Sequence, residues 1–314
     1  MTITQLKYVL AVAEHKNFTL AAEKCFVTQP TLSMQIQKIE EELSITIFDR
    51  SKKPIQLTDI GQKIVNQAKN IVNEADRIQD IVEQQKGFIG GEFRLGIIPT
   101  IMPTLLPMFL SNFIKKYPKV KLIIEELNTE EIIIKLNNGH LDAAIAATPL
   151  MEEKIKEIVL YFEPFVAYIP ENHEHFQKKE IEVSDLNLDE ILLLQDGHCF
   201  RDGILNLCKN STNNDTNRFQ IESGSFETLI KLADEGLGTT LLPFLHTLDL
   251  KETDKQKLRH FVAPKPAREV SLIYPKSELK IQIIDALRST IAGVIKGAIV
   301  FQNVQIISPL QKNK

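Results

Sequence analysis

Residues 17–50, NFTLAAEKCFVTQPTLSMQIQKIEEELSITIFDR, decide how the N-terminal part of the chain folds. The run predicts two helices around a tight turn. Thr19 is placed to cap the first helix, with Ala21, Ala22 and Cys25 on its buried side. A turn falls near Phe26–Thr28. The second helix starts at Gln29 and Pro30, where a proline's missing N–H costs nothing. Leu32, Ile36, Ile39 and Leu43 follow at steps of four, three and four and form one buried stripe. Gln29, Thr31, Ser33, Met34, Gln35 and Lys38 lie mostly outside that stripe. A face so rich in amides and hydroxyls can enter a major groove and bond both phosphates and base edges. Gln29 and Gln35 are the base-reading candidates, because an amide pairs a donor with an acceptor. Thr31, Ser33 and Lys38 suit the backbone, and Thr28, Pro30 and Met34 complete the candidate surface. The competing reading is a three-helix scaffold whose polar face meets only water.

Working outward, Leu6, Val9, Leu10 and Ala13 give an amphipathic helix before this pair. After it, Ile45, Ile47 and Phe48 can form a short strand, DRSKKP a basic turn, and Ile55–Leu57 a returning strand. Arg50, Lys52 and Lys53 then sit on a wing beside the minor groove or the backbone. Residues 1–58 hold seven Lys/Arg against six Asp/Glu. So neutral a winged helix-turn-helix must rely on a focused basic edge and on paired copies.

Residues 59–86, DIGQKIVNQAKNIVNEADRIQDIVEQQK, read as one long helix. Ile60, Ile64, Ala68, Ile71, Ala75, Ile78 and Val82 approach a heptad seam, which predicts a dimerisation helix. The alternative packs this helix on its own domain. GFIGG, residues 87–91, ends the helix as a hinge, giving a linker over 59–90.

Beyond it, EFRLGII, VKLIIEEL, LDAAIAA and FVAYIP read as strands, and PTIMPTLLPMFLSNFIKKYP and TEEIIIKLNNG as a turn with a helix and a short helix. ILLLQDG reopens the pattern. FETLIKLADEGLGTTLLP predicts a helix then a strand, REVSLIYP a strand, and IQIIDALRSTIAGVIKG a terminal helix. The alternation predicts an α/β domain over 91–300 with mainly parallel strands and helices on both faces. Its order fits two lobes that cross over twice, lobe I over about 91–164 and 267–300 and lobe II over about 165–266. A crevice between lobes suits a small ligand. No glycine fingerprint or phosphate loop is present, so no nucleotide cofactor is expected. The tail from about 299 carries no readable function.

At 314 residues the chain can hold two or three domains, and its net charge of -4 excludes a uniformly basic nucleic-acid binder. No apolar run is long enough to span a bilayer, and the N-terminus lacks secretory-signal features. A reducing, cytoplasmic setting without membrane contact is expected, which disfavours a purely structural disulfide.

That setting matters for DGHCFRDGILNLC, residues 196–208, which holds Cys199 and Cys208 nine positions apart in a chain with three cysteines. Three readings stay open: a metal pair, two buried small hydrophobes, and a redox couple. Cys199, Cys208 and His198 supply at most three ligands at the wrong spacing for zinc, so no metal is expected. Simple burial suits free cysteines. For the redox couple, His198, Arg201 and a nearby helix start would favour the Cys199 thiolate, and Asp202 could orient either neighbour. If the segment is helical when reduced, nine residues at about 1.5 Å each hold the backbones roughly 13 Å apart. A disulfide needs Cα atoms within about 7 Å, so bonding would require local melting.

NFTLAAEKCFVTQPTLSMQIQKIEEELSITIFDR with the following LTDIGQ resembles the LysR-type transcriptional regulators, over most of the chain to roughly residue 296. The resemblance implies a dimerising linker helix, a two-lobed regulatory domain like periplasmic binding proteins, and dimers that assemble into tetramers on double-stranded DNA. LLLQDGHCFRDGILNLC resembles the switch segment of the family's hydrogen-peroxide-sensing members, activators of oxidative-stress genes. That implies Cys199 as the peroxidatic cysteine and Cys208 as the resolving one, in a reversible intramolecular disulfide. By the same resemblance Thr100 in GIIPT and Arg268 in PAREVSLIYP lie beside the reactive thiol, Thr129 in LNTE binds peroxide, and Asp202 helps the O–O bond break. RNA polymerase and a cellular disulfide reductant are the implied partners. Two readings compete: a LysR-type regulator controlled by a metabolite between the lobes, and a thiol peroxidase. The peroxidase would leave the DNA-binding head unexplained, so no enzyme activity is expected.

Overall fold

The computed structural model describes residues 1–85, 89–208, 223–299 and 303–309. It divides into two compact units at residues 88 and 89. In the first, helix α1 (Ile3–His15) opens with a capping box in which Thr2 and Gln5 bond reciprocally. Helix α2 (Phe18–Lys24) is capped by Asn17, not Thr19: the Asn17 amide oxygen accepts from the N–H groups of both Thr19 and Leu20. Helix α3 (Gln29–Leu43) starts from a Thr28 cap with Pro30 in its first turn. Leu32, Ile36 and Ile39 are fully buried in a core with Leu6, Val9, Val12, Ala21 and Ala22. Leu43 is the last helical residue, and it is exposed because the stripe has run past the core.

Strands β1 (Phe48–Asp49) and β2 (Gln56–Leu57) pair antiparallel as the wing. Ile47 is buried just ahead of the pairing rather than in it. Helix α4 (Asp59–Gln85) then runs for 27 residues. Its first turn presses on the Ile47 carbonyl at Gly61, where any Cβ would approach to 2.1 Å. Val65, Ala68 and Val72 bury against the three-helix core, whereas Ile60 and Ile78 are exposed. Ala68 thus serves this unit's own core instead of an intermolecular seam. The Val82 side chain lies outside the described residues, as does part of the expected hinge at 87–91.

The second unit is built on strands β3 (Gly91–Ile97), β4 (Val120–Glu126), β5 (Ala143–Thr148), β6 (Ile155–Tyr168), β7 (Glu180–Ile181), β8 (Thr240–Pro243), β9 (Leu258–Phe261), β10 (Lys265–Pro275) and β11 (Val304–Ile306). They join in the order β4-β3-β5-β10-β6-β9-β7, with β8 on β6 and β11 on β10. The sheet is mixed, not mainly parallel. β3 is parallel to β4 and β5, but β10 is antiparallel to β5 and β6, and β6 to β8 and β9. The difference arises because the long strands β6 and β10 run antiparallel to each other at the centre of the sheet, although residues 169–264, with four helices among those described, lie between them in the chain. ILLLQDG forms only a single bridge, Ile191 to Thr239, rather than a strand.

Helices α5 (Met102–Lys116), α6 (Thr129–Asn137) and α11 (Ile281–Ala298) pack with β3 and β5 around one apolar core. Helices α7 (Cys199–Leu207), α8 (Phe226–Asp234), α9 (Phe244–Leu248) and α10 (Glu252–Lys255) belong to the later part of the chain. There a second core gathers Phe165, Tyr168, Phe200, Ile204, Phe226 and Leu229. The tail adds β11 in parallel to β10.

Candidate functional site

Helix α7 begins on one cysteine and ends on the other. His198 is its N-cap residue, Cys199 its first residue, and Cys208 its C-cap, with the Cys208 N–H donating to Ile204 O. Both thiols are free and buried, Cys199 at 8% exposure and Cys208 at 3%. They lie in different cores: Cys199 in the cluster of β3, β5 and α5, Cys208 in that of Phe165 and Phe226. Phe200, next to Cys199, stacks edge-on against Phe165 at 5.0 Å and Phe226 at 5.1 Å between ring centroids. One short helix therefore stitches two cores together, and the helical rise separates its end cysteines by roughly 13 Å.

Around Cys199 the sheet and its first turns deliver polar groups. Thr100 is buried in the turn after β3. Arg268 on β10 stands opposite Glu163 on β6 in the strand register. Arg268 Nη1 donates to Thr100 Oγ1 at 2.8 Å, and Nη2 to Thr100 O at 3.1 Å. Its Nε and Nη2 both donate to Glu163 Oε2, at 2.9 and 2.7 Å. The guanidinium carbon also lies 5.2 Å from the centre of the Phe200 ring. Thr129, first residue of α6, faces the sulfur without closing a well-formed hydrogen bond, and its Oγ1 is buried without a partner.

Burial pushes the Cys199 thiol up, and this outweighs the Arg268 charge, the Thr129 hydroxyl and the Ala147 backbone, which all act in the opposite direction. Asp202 pushes it further up. Burial alone takes the Cys208 thiol up to about 11. The expectation of a thiolate favoured by His198 and Arg201 is therefore corrected. Arg201 turns away, its Nε 2.8 Å from Asp196 Oδ1 and its Nη1 donating to Leu194 O. Burial lowers the His198 pKa against the pull of Glu126, so the imidazole adds no charge at neutral pH. The cation beside the sulfur comes from β10. Asp202 is itself shifted upward by burial, with Arg201 opposing.

Thr100, Thr129, Cys199 and Arg268 thus converge, and Arg201 does not. Glu163 was missed from sequence. The available signal was a lone acid in the apolar run YFEPFVAY. No group of acids, histidines and cysteines able to hold a metal occurs among the described residues.

On the other unit, Thr28, Gln29, Pro30, Thr31, Met34 and Lys38 are exposed, as are Lys52 and Lys53 on the wing. Thr28 and Thr31 share a hydroxyl contact of 2.8 Å. Gln35 is partly withdrawn, accepting from the buried Gln5 amide at 3.1 Å. Arg50 donates to Ser33 Oγ and to Glu40 Oε2 and lies over Phe18. Glu40 also accepts the N–H groups of Ile47 and Phe48, which fixes the wing to α3.

A winged helix-turn-helix followed by a mixed-sheet domain with two cores defines a LysR-type regulator. Residues 3–62 match the model of the bacterial regulatory helix-turn-helix protein, lysR family, and residues 86–294 that of the LysR substrate binding domain. The chain belongs to the LysR family of transcriptional regulators. Within it, the chain is closely related to OxyR. It is 33% identical to the hydrogen peroxide-inducible genes activator of Pectobacterium carotovorum subsp. carotovorum over 94% of this chain and 99% of that protein. It is 32% identical to the DNA-binding transcriptional dual regulator OxyR of Escherichia coli strain K12, over 93% of this chain and 97% of the other. A solved full-length Pseudomonas aeruginosa OxyR variant superposes with a TM-score of 0.73 at 35% identity, covering 93% of this chain and 98% of that one. A hydrogen-peroxide-bound mutant of Corynebacterium glutamicum OxyR gives 0.63 at 28% identity, covering 97% and 98%.

Proposed function

We propose that this regulator senses hydrogen peroxide at Cys199 and signals by a reversible disulfide with Cys208. The observation that carries the reading is helix α7, with one buried thiol at each end and each thiol in a different core. Kinship with OxyR proteins, one of them solved with hydrogen peroxide bound, supports the same ligand here.

In the first step the Cys199 sulfur attacks one peroxide oxygen. An S–O bond forms, the O–O bond breaks, and the second oxygen leaves with the thiol proton as water, giving a sulfenic acid. Thr129 Oγ1 has no partner. Thr100 Oγ1 accepts from Arg268 and keeps its own proton to donate. These hydroxyls suit the two peroxide oxygens. In the second step the Cys208 sulfur attacks Cys199 sulfur, the S–S bond forms and a second water leaves. Two thiols and one peroxide give a disulfide and two waters, and a cellular dithiol reverses the change. Because the helix holds the backbones about 13 Å apart and a disulfide needs about 7 Å or less, α7 must unwind. Unwinding withdraws Phe200 and Ile204 from the second core, and the regulatory domain repacks.

We infer that the exposed face of α3 enters the DNA major groove with Gln29 foremost, that the wing's Lys52 and Lys53 meet phosphates, and that two or four copies bind paired half-sites. RNA polymerase contact and a specific reductant complete the reading. The test joins mass analysis under non-reducing conditions to a DNA footprint, with and without dilute peroxide. The parent should lose the mass of two hydrogen atoms within one chain and shift its footprint. Cys199→Ser should do neither, and Cys208→Ser should stop at the sulfenic acid. A footprint shift that persists in Cys199→Ser would refute the reading.

A further inference from the structure

The Arg268–Glu163 pair is among the most enclosed ion pairs of the described residues, with side chains 3% and 1% exposed. One partner, Arg268, sits beside the reactive thiol. Glu163 binds through both oxygens: Oε2 accepts Arg268 Nε and Nη2, and Oε1 accepts the Leu245 N–H at 2.8 Å at the head of α9. With the two bonds to Thr100, all but one of the guanidinium N–H groups are engaged, and the remaining proton is on Nη1. The arginine is thereby fixed in both plane and rotation, with a single donor left to offer.

We propose that Glu163 is the positioning residue of the peroxide switch: its carboxylate holds the Arg268 guanidinium on Thr100 beside Cys199 and, by cancelling part of its charge, helps burial keep the resting thiol protonated. The inference rests on the peroxide reading of the site. A buried cation without a counter-charge strongly favours a nearby anion. Were Glu163 neutral, the Cys199 sulfur would become the natural counter-ion of Arg268. With Glu163 charged, the arginine's field at the sulfur is partly cancelled, and the thiol is spared from promiscuous oxidants yet retains a donor poised for the leaving oxygen. The other groups facing this cluster are Tyr161 on β6, Asp202 on α7, Thr129 on α6, the Ala147 backbone on β5 and His246 on α9. Burial holds His246 below the usual histidine range, so it stays neutral at the pH of the switch. Burial likewise holds the Tyr161 phenol protonated.

The test measures the pH profile of iodoacetamide alkylation at Cys199 in the full chain, with Cys25→Ser and Cys208→Ser as background. Glu163→Gln should move the profile to lower pH by about one unit or more, a tenfold change in thiolate fraction. Glu163→Asp retains the charge and should restore the parent profile. The double substitution Glu163→Gln with Arg268→Gln leaves no unpaired buried charge. It should move the profile above that of the parent, and it carries the test if Glu163→Gln does not fold. A Glu163→Gln profile at or above the parent's, a Glu163→Asp profile matching Glu163→Gln, or a double-variant profile at the parent's would each overturn the proposal. Alkylation needs no peroxide. If the parent forms no disulfide with peroxide while these profiles move as stated, the sensing function fails and the positioning role stands.

Discussion

At the Cys199 sulfur burial and charge pull in opposite directions, and burial wins at rest. Everything that tempers it arrives from elsewhere in the fold: Arg268 from β10, Thr129 from α6, a backbone N–H from β5. Arg201, the arginine two residues from the thiol, is committed to Asp196, which is itself 88% exposed. Two substitutions separate these arginines. Arg201→Ala removes a solvent-screened pair worth less than about 1 kcal/mol, and its peroxide oxidation rate should stay within about twofold of the parent. Arg268→Gln leaves Glu163 as a buried unpaired charge, so it should destabilise the domain by about 3–5 kcal/mol. It should also slow sulfenic acid formation by about tenfold or more, through loss of the opposite charge beside the thiol. Stopped-flow oxidation with a denaturant melt measures both, and equal rates for the two variants would contradict the site as drawn.

Helix α7 spans nine residues with a buried glycine, Gly203, in its middle. An interior glycine weakens a helix by roughly 0.5–1 kcal/mol relative to alanine, which suits an element that has to unwind. A Cβ at this position would meet the Phe165 ring at 3.4 Å, close to ordinary contact. Gly203→Ala should therefore stiffen the reduced helix at little steric cost. Disulfide closure should slow by about fivefold for 1 kcal/mol, while sulfenic acid formation is unchanged. Trapping the sulfenic acid against time reads the difference, and unaltered closure would show that unwinding is not on the path. The tail is tied to the same element, since Asn206 on α7 donates to the Ser308 carbonyl and Ile307 packs against the second core. Releasing α7 must break that bond.

For the molecule as a whole, sensing has to reach DNA through assembly. Helix α4 spends Val65, Ala68 and Val72 on its own domain and leaves Ile78 65% exposed. A carboxylate at an apolar interface is costly to desolvate, so Ile78→Asp should weaken self-association while sparing the helix-turn-helix core. The variant should sediment as a smaller species, with operator affinity reduced by about tenfold or more because paired half-sites are no longer bridged. Parent-like sedimentation would exclude Ile78 from the interface.

Strands β7, β9 and β11 and the antiparallel pairings went unread, whereas the helix-turn-helix, the wing, the long helix and the remaining strands of the second unit were legible in the sequence. They rest on short-range signals: the 3.6-residue period of Leu32, Ile36 and Ile39, the cap at Thr28, the proline after it, and apolar runs broken by turns. A helix start near Cys199 was expected, but only the structure shows α7 running from Cys199 to Leu207 with Cys208 as its cap. The Asn17 cap was misread because two nearby residues, Asn17 and Thr19, could serve, and the amide that reaches two N–H groups prevailed. What only the tertiary structure decided was which charges meet. Strand register brings Arg268 against Glu163 across more than a hundred residues, while Arg201, though close in sequence, points from a helix surface toward solvent-exposed Asp196. Helical and strand periods fix the face on which a side chain lies, but not the partner it finds there. That depends on long-range packing, which no local pattern encodes.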